Sequence, residues 1–423
     1  MTSTVQRLKA REILDSRGQP TLEVTCVTDR GQVATVGVPA GASTGAREAV
    51  ELRDGNPKRF AGRGVLKAVA MVESRIHQAL SGMDVTDQRA LDEALIRLDG
   101  SPNKSHLGAN AIVGVSMALA RAGALTQDLP LYRYLGGGAR LPIPSFNVLN
   151  GGVHASWEGA DFQEYMIQPH GAGSFSEALR WAADIYRALK ALLKARGLRT
   201  GIGDEGGFAP PVRSNREPLD WLVHAIEQAG LRPGADVALA VDAAANGFRG
   251  EHGYQLRTEG RSLSSGPLID YYADLVRDYP IALIEDGLHE DDWAGWQHLC
   301  RRLGAQVTLV GDDLFVTQTA YIQRGLDERC ANAALIKPNQ VGTVTETCVA
   351  MALAHGGGWS TMVSHRSGET SDDFIADLAV AMGARYIKSG APVRGERVAK
   401  YNRLLAIEAE LGARATFAGR QAP

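Results

Sequence analysis

Residues 333–337 read Ala333-Ala334-Leu335-Ile336-Lys337: small or branched apolar side chains that stop at a charge. The same pattern recurs on both sides. The run 237–241 stops at Asp242, 281–284 at Glu285 and 307–311 at Asp312. Further on, 360–363 stops at Ser364-His365-Arg366, and 384–387 at Lys388. Short apolar runs without polar alternation fit strands buried on both faces. From Asp242 through Glu285, Asp312, Lys337 and His365 to Lys388 the spacings are 43, 27, 25, 28 and 23 residues. About 25 residues suffice for one strand, a loop and a returning helix. Repetition of that unit predicts a parallel sheet, and this many units predict closure into a β/α barrel. The fold class is α/β.

The chain before this region has another rhythm. Alternating segments at 21–27 and 33–38 read as strands, with a turn closing Ile13-Leu14-Asp15-Ser16-Arg17-Gly18. A small-residue loop follows, Gly41-Ala42-Ser43-Thr44-Gly45, and then helical periodicity over 64–81, 85–98 and 109–124. Strands first and helices after mark an α+β unit. Pro130 and the Gly136-Gly137-Gly138 run place a boundary near 135, giving an N-terminal α+β domain over 1–135 and a barrel domain over 136–423. Trp293 and Trp296 are expected to pack on a helix rather than stack on a ligand.

Bulk properties exclude several classes. The net charge is −3 in 423 residues, so neither a nucleic-acid footprint nor a membrane-surface patch is expected. The four cysteines form no C-x-x-C pair, which argues against zinc fingers and redox motifs and for free thiols in a reducing compartment. No apolar leader or run of eighteen apolar residues is visible, and a cytoplasmic protein is expected.

Active sites of barrels lie at the C-terminal strand ends. The pattern therefore gathers Asp242, Glu285, Asp312, Lys337, His365, Arg366 and Lys388 at one mouth, and a run over 200–203 ending in Asp204-Glu205 adds another acid. One charge at a strand end is ordinary; six strands in succession are not. Three carboxylates offer hard oxygen ligands, which suit Mg²⁺ and leave positions for water or substrate. A metal beside a lysine suits proton abstraction next to a carboxylate, where the metal stabilises charge developing on oxygen. Lys337 can act as base only with its pKa lowered by cations or burial. Glu205 is the candidate for the acid on the opposite side.

The motifs Gly203-Asp204-Glu205-Gly206-Gly207, Gly311-Asp312-Asp313-Leu314, Leu335-Ile336-Lys337-Pro338-Asn339-Gln340 and Ser364-His365-Arg366-Ser367-Gly368-Glu369-Thr370, with Gly41 to Gly45, resemble those of enolases almost end to end. The resemblance implies an enolase-type barrel and a magnesium-dependent lyase that dehydrates 2-phospho-D-glycerate to phosphoenolpyruvate, the glycolytic step. It implies Asp242, Glu285 and Asp312 as ligands of a first Mg²⁺, and Ser43, on a closing loop, as a ligand of a second. Lys337 resembles the base, and Glu205, with Glu164 beside it, the acid. His154, His365, Arg366, Ser367 and Lys388 resemble residues that bind a small phosphorylated three-carbon acid. Enolases of this type are homodimers or larger assemblies.

One loop departs from the family. After His154-Ala155 come Ser156-Trp157-Glu158-Gly159-Ala160-Asp161-Phe162, one residue longer than usual, with an indole and an extra acid. Two alternatives stay open beside the glycolytic reading. A specialised paralogue of phosphonate natural-product biosynthesis would form carboxyphosphonoenolpyruvate, and a non-catalytic binding protein would keep only the fold.

Overall fold

The computed structural model describes residues 3–41 and 45–419; Ser43 lies outside the described residues. Strands β1 (Val5–Leu14), β2 (Pro20–Thr28) and β3 (Val33–Gly37) form an antiparallel meander. The first is longer than the sequence suggests. It is an edge strand whose outer face is largely exposed, so charged residues break its apolar pattern. Helical segments cover 66–80, with a π-helical turn at Val72–Ile76, then Gln88–Asp99 and Ala109–Thr126.

The Ala109–Thr126 helix is long and apolar enough to cross a membrane, with mean hydropathy 1.3, but 83% of it is buried inside the protein. It lies against the meander so closely that a Cβ at Gly114 would meet Val24 Cγ2 at 2.7 Å and Val38 Cγ2 at 2.8 Å. The absence of a side chain lets helix and sheet touch.

Eight strands close the barrel: β4 (Ile143–Asn150), β5 (Glu164–Gln168), β6 (Ala238–Asp242), β7 (Ile281–Glu285), β8 (Thr308–Gly311), β9 (Ala333–Ile336), β10 (Ser360–Ser364) and β11 (Tyr386–Lys388). All six apolar runs became strands. Around the barrel the order is β7-β8-β9-β10-β11-β4-β5-β6. Strand β5 runs antiparallel to β4 and β6. Its first residue, Glu164, therefore sits at the rim where the other strands end. The lumen is filled by Ile143, Met166, Ala240, Leu283, Val310, Leu335, Met362 and others, so it is a core and not a pore.

The apolar-run pattern did not mark β4 and β5, and physical chemistry explains why. Ser145, Asn147 and Asn150 interrupt the β4 apolar run although all are buried. Their polarity is answered locally: Gln168 Nε2 donates to Ser145 Oγ at 2.7 Å, and Asn147 Nδ2 donates to Glu205 Oε2 at 3.0 Å. The run 200–203 is not a strand. Ile202 makes a single bridge to Phe208 and is itself exposed, so nothing recruits the segment into the barrel. Trp293 and Trp296 do pack on a helix, Trp293–Leu303, and both are buried.

Candidate active site

Three carboxylates stand side by side at the rim because register puts them there. Glu285 pairs with Asp242 across β7 and β6, and Asp242 pairs with Glu164 across β6 and β5. Adjacent strands lie about 4.8 Å apart, so three buried charges at that spacing need a counter-charge. Lys388 supplies one from β11, four strands away from β7 and so on the far side of the barrel. Its Nζ lies 2.7 Å from both Glu285 oxygens, 3.3 Å from Asp242 Oδ2 and 3.1 Å from Glu164 Oε2. Burial would discharge this amine, but Glu164, Glu285 and Asp242 overcome it and push its pKa well above the ordinary lysine value. Burial and the neighbouring Asp242 push Glu285 up to about 8.

Asp312 and Lys337 end the neighbouring strands β8 and β9 and pair directly, Nζ to Oδ2 at 2.5 Å, while Gln340 Nε2 donates to Asp312 Oδ1 at 2.9 Å. Lys337 was expected to have its pKa lowered by nearby cations or burial; among the protein's own groups, burial pulls it down most, and Asp312 and Glu48 together leave it raised. Asp312 moves the other way: burial opposes its charge, and Lys337 holds its pKa below the usual range.

Among the described residues, the groups whose ligand atoms come within 4.8 Å of one another are Asp286–Asp312–Asp313 and His154–Glu164–Glu205, neither being the predicted trio. The reason is that lysines divide the trio: Lys388 gathers Asp242 and Glu285, and Lys337 takes Asp312. Asp286 was missed although it follows Glu285 directly. Its two oxygens accept the backbone N–H groups of Asp312 and Asp313 at 2.8 and 3.0 Å, so it shapes the turn that presents Asp312. The acidic doublets 285–286 and 312–313 were the available signal.

On the opposite side, Glu205 and Glu164 flank His154, whose Nδ1 is 4.0 Å from Glu164 Oε1 and whose Nε2 is 3.9 Å from Glu205 Oε1. His365 Nε2 stands 3.4 Å from Glu205 Oε2. The two carboxyls diverge. Burial and the Glu205 charge push Glu164 well above the carboxylate range. Burial acts on Glu205 too, but His365 and His154 outweigh it and hold Glu205 well below. Two close carboxyls with separated affinities are suited to different roles: Glu164 is the one that takes a proton first, and Glu205 the one that holds its charge. Burial lowers His365 to about 4.

Arg366 is buried and paired with Glu48, at 2.9 Å from Oε2 and 3.2 Å from Oε1, with Asn339 Oδ1 at 3.1 Å. Glu48 comes from the segment after the small-residue loop and ties the N-terminal domain to the rim. The sequence reading did not single it out. It also missed Arg397, fully buried on the Gly395–Leu411 helix, which donates to His365 Nδ1 at 2.6 Å, Arg366 O at 2.6 Å and Ser367 O at 2.5 Å. Arg397 escapes strand-end logic because it approaches from behind the rim.

A cavity of about 30 Å³ is lined by ten of the twelve predicted site residues, together with Gln163 and Ser364. Of the other two, Glu285 is reached through Lys388, and Ser43 lies outside the described residues. The donor set fits divalent cations. Five clustered acids, Glu164, Glu205, Asp242, Glu285 and Asp312, face two ammonium groups, and Glu164 Oε2 is buried with no hydrogen bond besides its ion pair with Lys388 at 3.1 Å. All are hard oxygen donors.

Comparison with known proteins agrees with this geometry. Residues 5–135 match the family model for the enolase N-terminal domain, and residues 139–423 that for the enolase C-terminal TIM barrel domain. The chain is 55% identical to Enolase 2 of Pseudomonas syringae pv. syringae, over 100% of this chain and 99% of the relative. It is 58% identical to the enolase of Rubrobacter xylanophilus, over 97% and 96%. It is 55% identical to Enolase 1 of Methanospirillum hungatei, over 99% and 98%.

Proposed function

Because the chain belongs to the enolase family, we propose that it dehydrates 2-phospho-D-glycerate to phosphoenolpyruvate with two Mg²⁺ per site. It is a carbon–oxygen lyase of the enolase type, acting with divalent metal on a small phosphorylated acid. The observation that carries the finer reading is a placement. Lys337 follows β9 and Glu164 opens β5, four strands apart in an eight-stranded ring, so base and acid face each other across one cavity.

In this reading Asp242, Glu285 and Asp312 would hold one Mg²⁺, and Ser43 would help hold the other. Bound divalent ions supply positive charge that stabilises the doubly ionised carboxylate formed when the neighbouring carbon loses its proton. Lys337 takes that proton as a free amine. A cation held by Asp312 would lower that raised pKa, because Asp312 is the foremost group raising it. The 3-hydroxyl leaves on the far side, protonated through Glu205 by a proton that Glu164, the carboxyl of higher affinity, supplies, and departs as water. Arg366 and Ser367 receive the phosphate. Arg366 offers a fork suited to phosphate oxygens, which would displace the carboxylate of Glu48. His154 and His365 bracket the leaving group, and Lys388 lies near the substrate carboxylate. A homodimer or larger assembly and a cytoplasmic location belong to the same proposal.

The paralogue alternative draws less support. The residues of the long loop, 155–162, do not line the central cavity; Trp157 borders the space beside it. The test is direct: purified protein, Mg²⁺ and 2-phospho-D-glycerate should give the rising ultraviolet absorbance of an enol phosphate, abolished by EDTA. No turnover here, with turnover of a phosphonoformyl analogue, would transfer the assignment to the paralogue.

A further inference from the structure

We propose that Trp157 and Arg257 form a clasp that holds the 151–161 loop shut over the cavity and so keeps His154 between Glu164 and Glu205; this rests on the dehydratase reading.

The loop is fastened at two places. At its exit, Asp161 accepts from Arg257 N at 2.8 Å and from Asn215 Nδ2 at 2.8 Å, and Thr258 Oγ1 donates to Gly159 O at 2.8 Å. At its crown, the Trp157 indole lies under the Arg257 guanidinium, 4.4 Å from ring centre to Cζ. The indole also rests on Gly247, where a Cβ would meet Cη2 at 3.2 Å and Cζ2 at 3.3 Å. The crown is strained: Ser156 and Trp157 have φ of 52° and 60°, a region that branched and bulky side chains avoid. Within the loop, Trp157 N–H donates to Gly152 O at 2.8 Å and closes the crown; the stack on Arg257 is the side-chain contact that ties the crown to the barrel.

His154 sits on the fastened segment, three residues before the indole, and has no anchor of comparable reach. Its Nδ1 is buried without a hydrogen-bond partner, and both nitrogens stand near 4 Å from the acids. The indole that departs from the family pattern therefore acts on the site through His154, which makes Trp157 a positioning residue. Opening the clasp lowers the fraction of molecules with the loop closed. Substrate still selects the closed form at saturation, so apparent affinity falls while maximal rate is retained.

The experiment compares Trp157→Ala, Trp157→Phe and Arg257→Met by hydrogen exchange of residues 152–158 and by kinetics with 2-phospho-D-glycerate and Mg²⁺. Trp157→Ala and Arg257→Met should each speed exchange in that segment about tenfold and raise KM about tenfold with kcat within about twofold. The Asp161 exit should stay protected. Trp157→Phe, which keeps an aromatic face, should recover most of both, and the double variant should be no worse than either single one. Unchanged exchange, additive losses, or a fall in kcat at constant KM would overturn the clasp. If the wild type does not turn over the substrate, the dehydratase reading fails, and exchange alone then decides the clasp.

Discussion

Replacing Lys388 by methionine keeps the volume and removes an ammonium that touches Glu164, Asp242 and Glu285. Breaking a buried ion pair costs about 3–5 kcal/mol because the partner stays buried and charged. Three partners suggest three times that cost, but two of them have an escape. Glu285 is already pushed up to about 8, and burial and the Glu205 charge raise Glu164 well above the ordinary carboxylate range, so both can shed charge by taking protons. The net loss should then be about one pair, ~3 kcal/mol. Mg²⁺ changes the balance, because the variant no longer has an ammonium competing for the same oxygens. A ligand at 100 times its Kd adds about 2.7 kcal/mol. Urea unfolding at pH 7.5 should therefore show the variant about 3 kcal/mol less stable than wild type in EDTA, with most of that gap closed by excess Mg²⁺. Equal stabilities in EDTA, or a gap that Mg²⁺ leaves unchanged, would refute the idea that these acids are built around a cation.

Glu205→Gln should block formation of phosphoenolpyruvate while leaving some exchange of the substrate α-proton, read by NMR; equal loss of both would undo the division of labour between acid and base. Arg397→Met leaves the carbonyls of Arg366 and Ser367 and the His365 ring without their donor and should cost about 3–5 kcal/mol in urea unfolding. His365 has a folded pKa of about 4 against an ordinary 6.5, so the unfolded chain takes the proton first as pH falls. Its contribution is present above pH ~6.5 and drains away toward pH 4, up to about 3 kcal/mol. His365→Gln should flatten stability across that window; an unchanged slope would contradict the burial argument.

The barrel was legible because strands buried on both faces must be apolar throughout, and each of the six runs ended on a residue that the fold brings to the rim. The places where reading stopped have physical causes. Strand Ile143–Asn150 buries polar side chains that its neighbours satisfy, so no apolar run marks it. Glu164 reaches the rim by opening an antiparallel strand, the reverse of the strand-end rule; the family resemblance supplied it and periodicity did not. Glu48 and Arg397 act from the N-terminal domain and from a helix, and only three-dimensional contact reveals them. The sequence shows which charges meet but not which pair first: among the protein's own groups, Asp312 lies against Lys337 and raises its pKa.

The central claim is that Lys337 takes the proton from the carbon beside the substrate carboxylate. It is tested most directly by following the C2 hydrogen of 2-phospho-D-glycerate in D₂O with Mg²⁺ by NMR. Wild type should wash it out into solvent, and folded Lys337→Ala should leave it in place at least a thousandfold longer, on the order of what loss of a positioned base costs. Exchange at the wild-type rate in Lys337→Ala would assign the base to another residue and dismantle the mechanism.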